Sequence, residues 1–432
     1  MALENLAPEL ISLILQNVDT PRGLHNIISA SPLCLRVFST TPQAFLSSVV
    51  RNALPAVNLQ HLLALQQTPS PATKSTVSEF LENYFNASWS FNLPTETSEL
   101  MLLCRCYNRV EFLISCYTEY MHRLGFVNSI LIPTSTECVR LQRAFLRFEI
   151  YCRVFPASNS FPLQTVSAND EFSSTKQFDL FISRLSPWEV EEIACVELYF
   201  TLMIRDYIDE LENHFMFTVD NYAWNLLSEP ESEVESLVEL TALDQTSLSL
   251  FSKEGRYRSS DNISYMTSLG LDFIYDLCTA GEGRSELIRS NCHYLREFLP
   301  DALRHSPTWP AEHQHEETAT LENNSSCSNL GYLIFSRVEG DERMYKSIAT
   351  TGGRYSGLRQ LGYVFWDSER ILSPGIYDKL EDMKCMLWQD ITFLFDPGAQ
   401  KGAGERLEGV RIQRVHMDNL ERDFGFISCS PR

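Results

Sequence analysis

No stretch of this 432-residue chain reaches the ~18 uninterrupted apolar residues that a membrane-spanning helix requires, so no bilayer span is expected. Basic residues are in short supply. The sequence holds 35 Lys and Arg against 56 Asp and Glu, a formal net charge of −21. Recognition of a phosphate backbone needs the opposite sign, so nucleic acid and anionic membrane are not expected as partners. Twelve cysteines are present, yet none forms a CxxC pair or a repeated spacing that would frame zinc or a disulfide scaffold. The tightest pair, Cys104 and Cys106, sits in an apolar-rich stretch and reads as two core thiols in a reducing compartment. The first residues lack a basic segment, and Glu4 and Glu9 interrupt their apolar run, so no secretory leader is expected and a cytoplasmic or nuclear setting follows.

Local catalytic signatures are missing too. There is no GxSxG elbow, no GxGxxG after a strand, no GxxxxGK[ST] phosphate loop and no HExxH helix. His313 and His315 lie in a polar stretch without a third spaced ligand and read as solvated side chains. Thr350 to Arg354 reads as a loop in preference to an anion nest, and Trp188 and Trp366 read as packed tryptophans. No catalytic residue, metal or cofactor is assigned, and the chain is not expected to be an enzyme.

What is present is apolar residue, 44% of the chain, in helical rather than alternating patterns. Ala7-Pro8, Thr20-Pro21, Ser31-Pro32 and Thr41-Pro42 each place proline ahead of an apolar segment. Proline suits the first helical position because its missing N–H has no partner there, and a preceding Ser or Thr caps free amides. Four short helices are therefore expected, starting at these prolines and forming one compact cluster. Further on, the capping box Thr134 to Glu137 opens a segment with Leu141, Phe145, Phe148 and Cys152 on one stripe, flanked by Arg140, Arg143, Arg147 and Arg153. Ser186-Pro187-Trp188-Glu189 opens another, with Ile193, Val196, Phe200 and Met203 on its seam and several acids off it. These two helices are expected to pack together, with exposed arginine–carboxylate pairs adding little to the buried stripe.

The fold class that follows is mainly α: a helical module over 1–55, then an irregular multi-helix domain over 56–305 with loops at 156–176 and 228–262. The second loop leaves room for a helix from Glu233 to Leu243. A polar linker is expected over 306–329 and a loosely ordered glycine-containing tail over 396–432. The segment 330–395 is left open between helical and mixed, since Gly331 to Phe335 and Tyr363 to Trp366 each fit a strand.

The helix starting at Pro8 confines its polar residues to one narrow stripe, Glu9, Ser12, Gln16 and Asp19, while Leu10, Ile11, Leu13, Ile14, Leu15 and Val18 occupy most of the rest. A helix so apolar must be covered on more than one side, by the remainder of the chain or by a partner. Leu6-Ala7-Pro8-Glu9-Leu10, then Ile14, then Leu24 after a proline turn, resembles the opening of an F-box, most closely the divergent F-box-like domains of filamentous-fungal proteins. The stretches from Ser186 to Glu192 and from Gly362 to Asp367 are similar to segments of large fungal F-box-like families. The resemblance implies a module that binds the Skp-type adaptor of a Skp–cullin–F-box ubiquitin ligase complex through Leu6, Pro8, Leu10, Ile14 and Leu24. The downstream domain would then recruit an unknown protein substrate. An adaptor-free scaffold, or an enzyme whose site leaves no local motif, are the alternatives.

Overall fold

The computed structural model describes residues 6–86, 91–124, 132–157, 172–228, 260–291, 297–305, 331, 356–373 and 375–384. Every regular element among these residues is helical, and the mainly α architecture is established. The four proline-led helices are α1 (Pro8–Gln16), α2 (Pro21–Ala30), α3 (Pro32–Thr40) and α4 (Pro42–Ala53), each with proline in its first turn. Thr20 Oγ1 accepts from Gly23 N at 3.0 Å and Ser31 Oγ from Cys34 N at 3.3 Å, as a hydroxyl ahead of proline requires. Then come α5 (Ala56–Gln66), α6 (Lys74–Phe85), α7 (Thr97–Arg123), α8 (Ser135–Val154), α9 (Ser174–Leu180) and α10 (Pro187–Ser228). The remaining described helices are α11 (Ser260–Ser268), α12 (Gly270–Thr279), α13 (Arg284–Ser290), α14 (Leu299–Arg304), α15 (Ser356–Gln360), α16 (Ser368–Ile371) and α17 (Ile376–Lys384).

Helix α8 lies at the centre, with α5, α7, α10 and α12 packed around it. Its capping box forms as the sequence indicates: Thr134 N donates to Glu137 Oε2 at 2.9 Å, and Glu137 N donates to Thr134 Oγ1 at 3.2 Å. Phe145 and Phe148 both meet Phe200 of α10, at ring separations of 5.6 and 5.2 Å, so the two stripes do pack face to face. The charges between them differ from the expectation. Arg147 is 9% exposed, Glu192 is fully buried, and Arg143 holds Glu192 through Nε at 2.9 Å and Nη2 at 2.5 Å. These pairs are inside because α8 is enclosed on nearly every side, which leaves its long basic side chains nowhere but the interior to end.

The segment from Tyr363 to Trp366 is not a strand. Gly362 takes a φ of +60°, and a Cβ there would stand 2.1 Å from Tyr117 Oη, so only glycine lets the chain turn over that tyrosine. The turn buries Tyr363, Val364, Phe365 and Trp366 all together, whereas a surface strand would alternate. Trp366 Nε1 donates to Leu361 O at 2.7 Å, which satisfies the indole within the core.

The four proline-led helices pack directly on the helices that follow them. Helix α4 lies along α7, and one cluster of buried apolar residues among those described runs from Ile11 to Leu380. The expected linker at 306–329, the tail from 396, the helix over 233–243, His313, His315 and the 350–354 loop lie outside the described residues. The expected loop at 156–176 is cut short by α9, which starts at Ser174.

Candidate partner-docking face

Two apolar edges run along α1. Ile11 and Leu15, one turn apart, point inward with no exposed surface. Leu10, Leu13 and Ile14 fall at the i, i+3, i+4 spacing of the opposite edge and remain 49%, 55% and 38% exposed. Intramolecular cover therefore stops halfway round the helix. Pro8 and Glu9 are exposed beside them, and Leu35 on the neighbouring α3 is 48% exposed.

The orientation of α1 is fixed from within. Asn52 on α4 donates through Nδ2 to Gln16 O at 2.8 Å and to Val18 O at 3.2 Å, tying the end of α1 to the cluster. Asn17 Nδ2 donates to Leu13 O at 2.8 Å, closing the last turn. With Ile11 and Leu15 locked inside, the helix cannot roll to hide its outer leucines without exposing the inner pair.

Of the five residues that the F-box resemblance points to, Leu10 and Ile14 share this outer edge, and Pro8 is exposed at the start of the helix, in line with Ile11 and Leu15. Leu6 is half-buried against the core. Leu24 is a correction: at 2% exposure it is part of the interior, because the i and i+3 positions Pro21 and Leu24 form the inward face of α2. Leu13 belongs to the exposed edge and was not assigned to it from sequence; Leu35 is exposed on α3, which packs against α1.

A second feature is an open cleft of about 600 Å³ at the start of α8, lined by Thr134, Thr136, Glu137, Arg140, Asp367 and Arg370. Its charges are committed to one another. Asp367 accepts from Thr134 Oγ1, from Thr136 Oγ1 at 2.6 Å and from Arg140 Nη2 at 2.5 Å. Burial raises the Asp367 carboxyl, but these donors outweigh it and hold it below the usual carboxylate range. Glu137 accepts from Arg370 Nε and Nη2, both at 2.8 Å, and from Asp367 N at 2.9 Å. The cleft thus joins the last described elements to α8, and the Asp367 carboxylate is not poised as a proton donor near neutral pH. Among the described residues, no group of three or more His, Cys, Asp or Glu side chains is arranged to hold a metal ion, and no helix is long and apolar enough to cross a membrane.

The comparisons with known proteins add no family: no family description, curated protein or solved structure matches the chain.

Proposed function

We propose that this chain is an F-box-like protein that works by binding other proteins, its α1 face docking the Skp-type adaptor of a cullin ubiquitin ligase and its larger helical body recruiting a substrate protein. The observation that carries this reading is the outer edge of α1. Leu10, Leu13 and Ile14 remain exposed side by side on a helix held rigidly from beneath, and two of the three are residues that the F-box resemblance assigns to the adaptor. Completing the burial of three half-exposed aliphatic side chains contributes about 1 kcal/mol each, roughly a hundredfold in affinity together. Such a face is small for a whole interface, so the adaptor's footprint would extend to residues around it. A cytoplasmic or nuclear location and the absence of catalysis by this chain follow from the same reading.

The test is a binding titration of full-length protein with purified Skp-type adaptor. Because α4 packs on α7, the first 55 residues are not a suitable reagent by themselves. Binding that is lost in the Leu10→Asp, Ile14→Asp double variant, with an unchanged melting curve, supports the proposal. No binding by the wild-type chain, under conditions where an ordinary F-box protein binds, ends the ligase reading and leaves an adaptor-free scaffold.

A further inference from the structure

The cleft at the start of α8 has a spare charge and an uncovered apolar rim. Its two cations are taken: Arg140 holds Asp367 at 2.5 Å, and Arg370 holds Glu137 at 2.8 Å and reaches Ile132 O at 2.9 Å. A third carboxylate lines the cleft, Glu369, exposed beside the exposed Ser368, and no hydrogen bond or ion pair from the described residues engages it. Three carboxylates thus face two guanidiniums, and the charge left over is negative. The rim is aliphatic. Ile132, whose carbonyl Arg370 holds, is 77% exposed, and Leu372, between the lining residues Arg370 and Ser373, is 59% exposed. Ile376 lines the cleft half-buried. The turn that carries Leu372 is held in place, since Leu372 N donates to Ser368 O at 2.9 Å and Ser373 Oγ to Arg370 O at 2.6 Å.

We propose that this cleft is where the helical body takes its substrate, binding a short exposed peptide segment in which a lysine or arginine stands next to aliphatic residues. The assignment deepens the substrate-recruiting half of the function proposed above and is independent of the α1 face. A space of about 600 Å³ lies within the range of roughly 300–1,000 Å³ that small-ligand sites occupy, so it admits a few side chains and not a folded domain. A basic side chain suits both features at once: its methylene stem lies along Leu372 and Ile376 while its charged end meets Glu369. Neighbouring aliphatic residues of the same segment cover Ile132 and the rest of Leu372, which removes apolar surface from water. An acidic or phosphorylated segment would meet Glu369 with like charge and would find Arg140 and Arg370 already bound to carboxylates. The chain's net charge of −21 adds attraction for a basic partner before contact. The frame is preformed by the pairs that line it, so little ordering opposes binding.

The experiment titrates the full chain with four fluorescent octapeptides of one length and backbone: lysine with leucine, lysine with serine, serine with leucine, and glutamate with leucine. The lysine–leucine peptide should bind with a Kd on the order of 10–100 μM, at least about tenfold tighter than each of the others. Glu369→Lys should invert the preference toward the glutamate–leucine peptide, which a merely general attraction to an acidic chain would not do. Ile132→Ser with Leu372→Ser should weaken the lysine–leucine peptide about tenfold; all three side chains are exposed, so the melting curves should not move. The Leu10→Asp, Ile14→Asp variant should bind the peptide as the wild type does, so failure of adaptor docking and failure of peptide docking are read separately. The proposal is overturned if the four peptides bind alike, if none binds below about 1 mM, if a phosphoserine version of the serine–leucine peptide binds tightest, or if Glu369→Lys leaves the preference as it was. Self-association of the wild-type chain that Leu372→Ser abolishes would give the face to a second copy and overturn it too. The wild-type titrations decide the charge preference even if a variant fails to fold.

Discussion

Replacing Glu197 by glutamine should stabilise the protein at pH 8 and destabilise it slightly, by about 1 kcal/mol or less, at pH 4.5. Glu197 lies on the first half of α10, 2% exposed, and its side-chain hydrogen bond is from Thr201 Oγ1 at 2.8 Å. Burial pushes its carboxyl up to about 7, although the Thr201 hydrogen bond and the charges of Arg359 and Arg205 pull the other way. In the unfolded chain the same group titrates near 4.5. Between those values the native protein retains a proton that the unfolded chain has released, so stability falls as pH rises through the interval and is level above it. At about 1.4 kcal/mol per pH unit, the accumulated loss is about 3 kcal/mol. Glutamine keeps the shape and accepts the Thr201 hydrogen bond, but its amide needs an acceptor, which costs about 1 kcal/mol. The net gain at pH 8 is therefore about 2 kcal/mol. Urea melts of both proteins at pH 5, 6, 7 and 8 measure it. His61 works in the opposite sense, since burial and then the charges of Arg147 and Arg143 hold its imidazole well below 6.5, so stability from that group is lost as pH falls. For that reason the quantity to read is the difference between the two proteins at each pH. Parallel pH curves would show that Glu197 does not hold a proton in the native state, and the reasoning about its burial would fail.

Leu10→Asp with Ile14→Asp should cost less than about 1 kcal/mol in a denaturant melt, because these edges face solvent, while adaptor affinity should fall by roughly a hundredfold; a large loss of stability would mean that the face is interior. Phe148→Ala should cost about 3–5 kcal/mol, and Arg147→Ala about 2–3 kcal/mol because it leaves Glu189 without its counter-charge in a half-buried place; an Arg147 loss under about 1 kcal/mol would show that the pair is solvated. Gly362→Ala should destabilise by roughly 2–4 kcal/mol, from the left-handed backbone and the clash with Tyr117, and its effect should shrink in a Tyr117→Phe background, as a double-mutant cycle would measure.

Much of the fold was legible because its signals are local. The four prolines, two of them behind hydroxyl caps at Thr20 and Ser31, mark helix starts without reference to the rest of the chain, and so does the box at Thr134. The pairing of α8 with α10 was legible from two stripes and two opposite charge sets. The depth of that pairing was not, because whether Arg143 and Arg147 end in water depends on α5, α7 and α12 closing over the same helix. Tyr363 to Trp366 misled for a related reason: four large apolar residues in a row satisfy strand composition, and the left-handed glycine before them means little until Tyr117 is known to lie beneath it. On the candidate face, periodicity placed Leu10 and Ile14 but could not say which edge of α1 the body would cover. Leu24 shows the limit of a motif, whose positions carry an identity without carrying an orientation.

The ion pairs that tie the last described elements to the centre also set an order of events during synthesis. Glu191 is bound by Arg359, 168 residues later, through Nε at 2.9 Å and Nη2 at 2.7 Å, and Glu137 by Arg370, 233 residues later. A ribosome that has finished α8 and α10 has therefore made two carboxylates destined for the interior long before it makes the arginines that neutralise them. Until then, burying either one is costly, so the central helices are held back from closing. A premature stop anywhere before Ser356 would leave that state permanent, with the surfaces meant for Phe365 and Trp366 uncovered. Such truncated products would be recognised by their failure to close rather than by their length.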